Sequence, residues 1–577
     1  MQKKNLLTVV AFAFIMSGVC GLIYEVVWAK YLALFIGNTT YAHTVVLATF
    51  MAGLAAGAYY WGRKADSVLS RLRLYGILEI LIGLYCFLYP TLLRLLEKAY
   101  IYTVVATDSP SNSILVLALK LSVSVVSLFL PTFLMGGTLP ILVKFLTRRL
   151  EDTGKDVAIL YFLNSFGAVL GSFFAGFLLI EVFGLRYSVY IAAIINTIIG
   201  IGIYIISLRE REDLTMEAVG VEETPVSEIS YSKTQIQIAI AAAALSGFSS
   251  MVYELTWIRL LSLILGSSTY SFSLMLMAFI SGITLGSYIV SKFIHKVKNL
   301  FTFLGYCELA VGVAMVAVLP IYQRLPYYFW VLGDIVNRTP QGYVLFIIIE
   351  YIFCFLLMFL PTLFLGMALP IISRIVTNDI KFVGKSVGSI FSINTLGTVG
   401  GSLMTGLVFI PWMGVHYSIQ LGIVINLILS SLIFITGAGK LMKRSLAPAI
   451  GWVLLVIYVM NMPEWNRSTM AYGVFRSMQK RRAPSSYAEF VRMNEQNKVM
   501  YYKEGVNATV AVVEQDSQLI LTVNGKADAS SRGDLMTQLL LGHLPAVVAP
   551  KMDNALVIGL GSGITAGAVA QHPVQHL

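Results

Sequence analysis

The chain has 577 residues, 57% of them hydrophobic and only 12% charged, with a mean hydropathy of +0.78; a water-soluble globular chain carries roughly 25% charged residues, so lipid surrounds most of this one. The net charge of +11 resides in short Lys and Arg clusters between apolar runs, the distribution of orientation signals, and nucleic acid is not expected as a partner. Cys20, Cys86, Cys307 and Cys354 all lie inside apolar runs with no CxxC pair, which argues against a disulfide framework and a zinc site, and no metal is expected.

The opening Met1-Gln2-Lys3-Lys4 before an apolar stretch resembles a secretory leader. The stretch recurs from Ser246 onward, and a cleaved leader would have no reason to recur, so it is read as the first membrane helix. Apolar runs long enough to cross about 30 Å of hydrocarbon follow near 5–36, 41–62, 74–95, 114–146, 157–182 and 186–207, and again near 235–266, 270–291, 300–320, 343–375, 386–410 and 416–437.

The two sets match residue by residue. Ser17-Gly18, Tyr24-Glu25, Trp28 and Lys30 return as Ser246-Gly247, Tyr253-Glu254, Trp257 and Arg259, an offset of 229 from 24 to 253. Glu79 and Gly83 return as Glu308 and Gly312. Pro131-Thr132, Gly136 and Leu139-Pro140 return as Pro361-Thr362, Gly366 and Leu369-Pro370, and Asn164, Gly167, Gly171 and Gly176 as Asn394, Gly397, Gly401 and Gly406, at an offset of 230.

An even number of helices per unit makes both copies enter the membrane from the same side, related by an axis along its normal, as in the two halves of major-facilitator transporters. Basic clusters at Arg63-Lys64, Arg71 and Arg73, at Lys144, Arg148 and Arg149, at Lys292, His295, Lys296 and Lys298, and at Lys440, Lys443 and Arg444 then share one face, expected to be cytoplasmic together with the N-terminus. The expected domains are membrane repeat 1 at 1–207, a polar cytoplasmic linker at 208–234, membrane repeat 2 at 235–437, a possible thirteenth helix at 446–462 and a soluble tail at 463–577. If the thirteenth run spans, the tail is external; if it lies flat on the surface, the tail stays inside.

Four ionisable residues within the apolar runs are candidate functional groups. Glu25 and Glu254 sit midway along equivalent helices, where a carboxylate costs roughly 2.5–3.5 kcal/mol unless it faces a cavity, a partner or a proton. They point to a substrate or proton site near the bundle axis; the plain alternative is a bond to the following Trp N–H or to Lys30 and Arg259. Lys120 and Glu350 occupy equivalent positions with opposite charge and are expected to pair across the axis, the alternative being that each pairs within its own half. The small residues of 164–176 and 394–406 mark close helix contacts, with Asn164 and Asn394 bonding to neighbours.

In the tail, Thr509–Val513 and Leu519–Val523 read as a β-hairpin, Asp534–Leu544 as a helix, and Ala555–Ile558 as a buried strand running into Gly559-Leu560-Gly561-Ser562-Gly563 and a small-residue helix to Ala570. Strand, glycine turn and helix in that order suit ligand binding, and the G-x-G-x-G form is close to the pattern that holds the amino-acid part of S-adenosylmethionine-like nucleosides, with Gly559, Gly561, Ser562 and Gly563 as the cradle; the plain alternative is a tight turn with no ligand.

Across roughly 501–572 the tail resembles the spermidine synthase (polyamine aminopropyltransferase) family, in the form fused behind a major-facilitator-like membrane region. The resemblance rests on Val523-Asn524-Gly525, the helix with Gln538 and His543-Leu544-Pro545, and the Leu556–Gly563 segment. Where that family has Asp-Gly, a Gln, an acidic pair and Gly-Gly-Gly-Asp-Gly, this chain has Asn524-Gly525, Asp528, Gly533-Asp534 and the Gly559–Gly563 loop. It implies a mainly α polytopic membrane protein carrying a partial Rossmann-like α/β domain. Its activity would be aminopropyl transfer from decarboxylated S-adenosylmethionine to an amine, with Asp528, Asp534 and Gln538 on the amine side. The sequence stops at Leu577, before the ribose-binding and catalytic acids of that family, so the domain is expected to be incomplete and no catalytic residue is assigned. Two other readings stand beside it: a small-molecule carrier or sensor working through Glu25, Glu254, Lys120 and Glu350, and a methyltransferase-like protein using S-adenosylmethionine, favoured by Ser562 in place of the acid. Neither the acceptor nor an oligomeric state is specified.

Overall fold

The computed structural model describes residues 3–37, 40–110, 113–209, 231–265, 269–336, 340–437, 446–474 and 482–577. Most of the linker at 208–234 and the basic cluster Lys440, Lys443 and Arg444 lie outside the described residues.

The first repeat consists of α1 (Lys3–Ile36), α2 (Thr40–Ser67), α3 (Arg71–Ala106), α4 (Ile114–Gly136), α5 (Thr138–Leu146), α6 (Thr153–Phe174) and α7 (Ile180–Arg209). The second has α8 (Lys233–Leu265), α9 (Thr269–Phe293), α10 (Leu300–Tyr322), α11 (Leu325–Ile335), α12 (Pro340–Val376), α13 (Val383–Met404) and α14 (Ile410–Gly437). Among the described residues ten helical stretches are long and apolar enough to cross a membrane. Two of them, Leu150–Arg209 and Ile380–Gly437, run to 60 and 58 residues. A straight helix of that length would reach about 90 Å, three bilayer cores, and each is instead interrupted by a glycine at positive φ, Gly184 (71°) and Gly414 (82°), so each supplies two crossings.

The duplication reaches below the helices. One π-helical turn at Ala175–Leu179 matches another at Thr405–Phe409, and short 3-10 turns at Leu150–Asp152 and Ile380–Phe382 also correspond. Within each repeat the small residues let backbones touch: a Cβ on Gly18 would lie 2.2 Å from the Asn164 carbonyl oxygen, and one on Gly247 would lie 2.2 Å from that of Asn394. These contacts seat α1 on α6 and α8 on α13, the role expected of the small-residue faces. The Asn394 side chain donates to the Ala243 carbonyl at 2.9 Å.

After α14 come α15 (Leu446–Met460), α16 (Arg467–Met470) and α17 (Tyr487–Glu495). The start of α17 is capped reciprocally: Ser486 accepts from the Glu489 N–H, while the Ser485 hydroxyl and N–H bond the Glu489 carboxylate and hold it below its ordinary value. A four-stranded antiparallel sheet follows in the order β1 (Lys498–Glu504), β2 (Thr509–Gln515), β3 (Gln518–Val523) and β4 (Lys526–Ser530), then α18 (Leu535–Val548) and α19 (Ile564–Val569). Asp516-Ser517 and Asn524-Gly525 both have positive φ at the two central turn positions, the hairpin geometry that suits the right-handed strand twist.

The tail forms one compact unit with residues 259–271 and 319–348, so the second repeat contributes its α11 segment to the tail's core. Trp330 of α11 stacks on Tyr472 at 5.5 Å and meets Phe490 edge-on at 6.1 Å. The Ala483 N–H donates to Asp334 at 2.8 Å, and Arg259 donates to the Gly505 and Val506 carbonyls.

The expected strand at Ala555–Ile558 does not form. Leu556 and Ile558 are 84% and 92% exposed, and the segment's neighbourhood holds only an isolated bridge from Asn554 to His576. A buried parallel-type strand needs neighbours on both edges and cover on both faces; the described tail places neither there, and its sheet is antiparallel throughout.

Candidate functional site

The pattern Tyr-Glu-x-x-Trp determines which way each intramembrane glutamate points. Tyr24 and Trp28, four apart and on one helix face, are fully buried and stack at 5.3 Å; Tyr253 and Trp257 do the same in the second repeat at 5.9 Å. Each glutamate, one position round the helix, is turned off that aromatic face. Glu254 is only 6% exposed, and Glu25 is partly buried at the equivalent position of the first repeat. Among the described residues neither has a hydrogen-bond or ion-pair partner. Among the described residues Trp28 Nε1 has no hydrogen-bond partner, and Arg259 donates to the carbonyls of Gly505 and Val506.

Lys120 and Glu350 do not pair. Lys120 on α4 donates to the Ile36 carbonyl at 3.3 Å, at the C-terminus of α1, while Glu350 is buried on α12. Helix C-termini carry unpaired carbonyls and the negative end of the dipole, so the lysine finds its counterpart within its own repeat. Equivalent sequence positions did not bring these two side chains to the axis.

A second pair of buried carboxyls emerges that the sequence showed only as markers of the duplication. In repeat 1, Glu79 on α3 accepts from Ser17 on α1 at 2.7 Å and from the Asn196 side chain on α7, with the Tyr75 hydroxyl alongside. In repeat 2, Asn426 on α14 donates to Glu308 on α10 at 2.7 Å and to Ser249 on α8 at 3.2 Å, accepts from Tyr253 at 2.7 Å, and has Ser246 beside the same carboxyl. Each cluster ties the first, third and sixth crossings of its repeat. Its signal in the sequence was Asn196 and Asn426, polar residues 230 apart within apolar runs.

The repeats meet along α2 and α13, where a Cβ on Gly62 would lie 2.6 Å from the Gly384 carbonyl oxygen. At that end Asp66 accepts the N–H groups of Gly384 and Lys385 at 2.9 and 2.8 Å and pairs with Lys144 at 3.3 Å. Lys144 in turn donates to the carbonyls of Ile380 and Lys381. Asp66 therefore satisfies the first free amides of α13 and sits at its positive end.

In the tail, Gly559, Gly561 and Gly563 have φ of 92°, 54° and 78°, with nothing within 4 Å of where their Cβ atoms would be. Ser562 donates to Gln538 at 2.7 Å, which brings two of the expected residues together. The others are held locally: Asp528 pairs with Lys526 at 3.1 Å, and Asp534 bonds Ser530. No group of three or more metal-ligating side chains occurs among the described residues.

A family model described as the Major Facilitator Superfamily matches residues 6–337. Among solved structures the chain is similar to the human organic anion transporter MFSD10 (TETRAN), at 12% identity over 75% of this chain and 100% of that one, with a TM-score of 0.45. It is also similar to FucP, a Major Facilitator Superfamily transporter in the outward conformation, at 12% identity over 74% and 98%, TM-score 0.42, and to the E. coli fucose:proton symporter form of FucP at 14% identity over 73% and 97%, TM-score 0.38. No curated protein matches.

Proposed function

Because this chain belongs to the Major Facilitator Superfamily, we propose that it is a membrane carrier for a small molecule, which binds between the repeats at Glu25 and Glu254. The observation that carries the reading is the pair itself: equivalent carboxyls within apolar helices, one per repeat, each without a hydrogen-bond or ion-pair partner among the described residues. Isolated buried charge is costly, and a ligand that arrives and leaves is the occupant that makes such a pair useful. Rocking of one repeat against the other around that site would expose it to either side in turn.

The family resemblance of the tail suggested aminopropyl transfer. The strand that would aim the glycine loop is not formed, and Asp528 and Asp534 are held by Lys526 and Ser530, so the carrier reading takes precedence. The orientation follows from charge and chain path. With the basic segments 63–73, 144–149 and 292–298 in the cytoplasm, α10 carries the chain once across the membrane to α11, on which the tail core is built. The tail is then external and α15 spans; at 15 residues it is about 22 Å long and must locally thin the bilayer.

The test of function is solute accumulation in vesicles containing the full chain. Glu25→Gln with Glu254→Gln should abolish it; accumulation equal to wild type in the double variant would overturn the reading. For orientation, Ser517→Cys in the exposed turn should react with a membrane-impermeant maleimide on intact cells, against a background of four buried native cysteines. Labelling only after lysis would place the tail inside.

A further inference from the structure

The carrier reading names Glu254 as a site residue and leaves open what aims it. We infer that Arg259 is a positioning residue for Glu254, and that the tail braces the C-terminal part of α8 through it.

The first support is the contact itself. Arg259 lies five residues beyond Glu254 on α8, which runs unbroken from Lys233 to Leu265. Its Nη2 donates to the carbonyls of both Gly505 and Val506, in the turn between β1 and β2. Bonds from a charged donor are the stronger kind. The acceptors are themselves fixed: the Gly505 N–H donates to the Ala508 carbonyl at 2.9 Å and closes the turn, and the Thr509 N–H donates to the Asn524 side chain at 2.9 Å and ties it to the next hairpin. At that second hairpin a Cβ on Gly525 would lie 3.7 Å from the Leu263 carbonyl oxygen, so the tail comes up against α8 again one turn beyond Arg259.

The second support is helix geometry. At about 100° and about 1.5 Å per residue, Arg259 stands about 140° round α8 and about 7.5 Å along it from Glu254, and Tyr253 stands about 100° round the other way. Tyr253 donates to Asn426 on α14 at 2.7 Å. The helix is thus tied on both sides of Glu254, and Glu254 projects from the sector the two ties leave. One tie alone lets a helix turn about it; two at different heights and directions fix its rotation and its height.

The third support is the contrast between repeats. Lys30 stands where Arg259 does, 229 positions earlier from 259 to 30, and makes no hydrogen bond or ion pair among the described residues. The Tyr24 hydroxyl likewise has no oxygen or nitrogen partner among them. The tail's compact unit includes residues 259–271 and 319–348, all from the second repeat. Glu25 therefore sits on a helix that has neither tie.

This inference rests on the carrier reading for the importance of Glu254, but its test needs no transported solute. Full-length protein in proteoliposomes is treated with dicyclohexylcarbodiimide, an apolar reagent that converts carboxyls in apolar surroundings to N-acylureas, and adducts at Glu25, Glu79, Glu254 and Glu308 are followed by peptide mass spectrometry. Arg259→Gln, checked for folding by size exclusion, should raise the labelling rate at Glu254 by about tenfold, the equilibrium effect of one hydrogen bond to a charged group, with the other three glutamates at their wild-type rates. Arg259→Lys should fall between, since an ammonium keeps the charge and donors but loses the planar group. Lys30→Gln should leave Glu25 unchanged. Labelling at Glu254 that Arg259→Gln leaves unchanged, whether fast, slow or nil, would overturn the inference. An equal rise at all four glutamates would do the same, by making Arg259 a residue of general stability. A like rise at Glu25 in Lys30→Gln would overturn the bracing by the tail, because Lys30 has no such contact. Each of these failures leaves the carrier reading to the vesicle test of the double Gln variant.

Discussion

The two membrane repeats hold a serine, a glutamate and an asparagine at matching positions, yet the tyrosine of the Tyr-Glu-x-x-Trp pattern bonds into the group in the second alone among the described residues. Tyr253 donates to Asn426, whereas the Tyr24 hydroxyl faces the Cys86 thiol, a weak acceptor, and finds no oxygen or nitrogen partner among the described residues. The edges of the repeats differ in the same spirit. Asp66 caps α13 on one side; its counterpart 229 residues on is His295, an exposed side chain beside a cavity of about 440 Å³ that Glu151, Asp152, Lys155, Tyr231 and Arg374 also line. The duplicated positions that stay alike are those joining three helices inside a repeat, where an unpaired polar atom is costliest. Those at the seams are free to diverge, and one seam is latched while the other holds an open pocket.

This asymmetry can be broken at graded cost. The largest effect is expected for Asn426→Leu, which strands Glu308, Ser249 and Tyr253 together and should destabilise the purified protein by about 3 kcal/mol, against about 2 for Asn196→Leu, which strands Glu79 and Ser17's shared carboxyl only in part. Thermal unfolding in detergent measures both; equal losses would show that the second cluster gains nothing from its extra partners. Next comes the latch. Asp66→Ala should cost about 2 kcal/mol, because two amides and Lys144 lose a charged partner, and His295→Ala less than about 0.5. If His295→Ala costs as much, the two seams are equivalent after all. The smallest difference separates Tyr253→Phe, with a loss of about 1 kcal/mol, from Tyr24→Phe, expected near zero because no strong hydrogen bond is given up. A larger loss at Tyr24 would reveal a partner for its hydroxyl.

Much of the membrane architecture was readable from residue patterns. Apolar runs and their 229–230 offset located both repeats, and the same offset recurs in the π-turns and in Gly184 and Gly414. Glu25 and Glu254 were legible as candidates because a carboxylate midway along an apolar run is costly unless it meets a partner, a cavity or a proton. The Glu79 and Glu308 clusters were not, since their asparagines lie 117 and 118 residues away and periodicity says nothing about partners at that range. The Lys120–Glu350 pairing was misjudged because equivalence in a repeat fixes matching environments, not proximity. Ala555–Ile558 has the composition of a strand, but strand formation depends on neighbours that composition cannot supply.

What the amino-acid order determined by itself was local and periodic: where helices run, that they come in two copies, which side chains are polar within lipid, and where the hairpins of the tail turn. Burial length, backbone freedom and turn chemistry act over a few residues and leave their trace in the chain. Only the tertiary structure decided which carboxyls find partners among the described residues, that Asp66 latches α13, and that α11 joins the core of the tail. Those outcomes depend on which backbones approach closely enough for a donor to reach an acceptor, a distance fixed by the packing of helices more than a hundred residues apart.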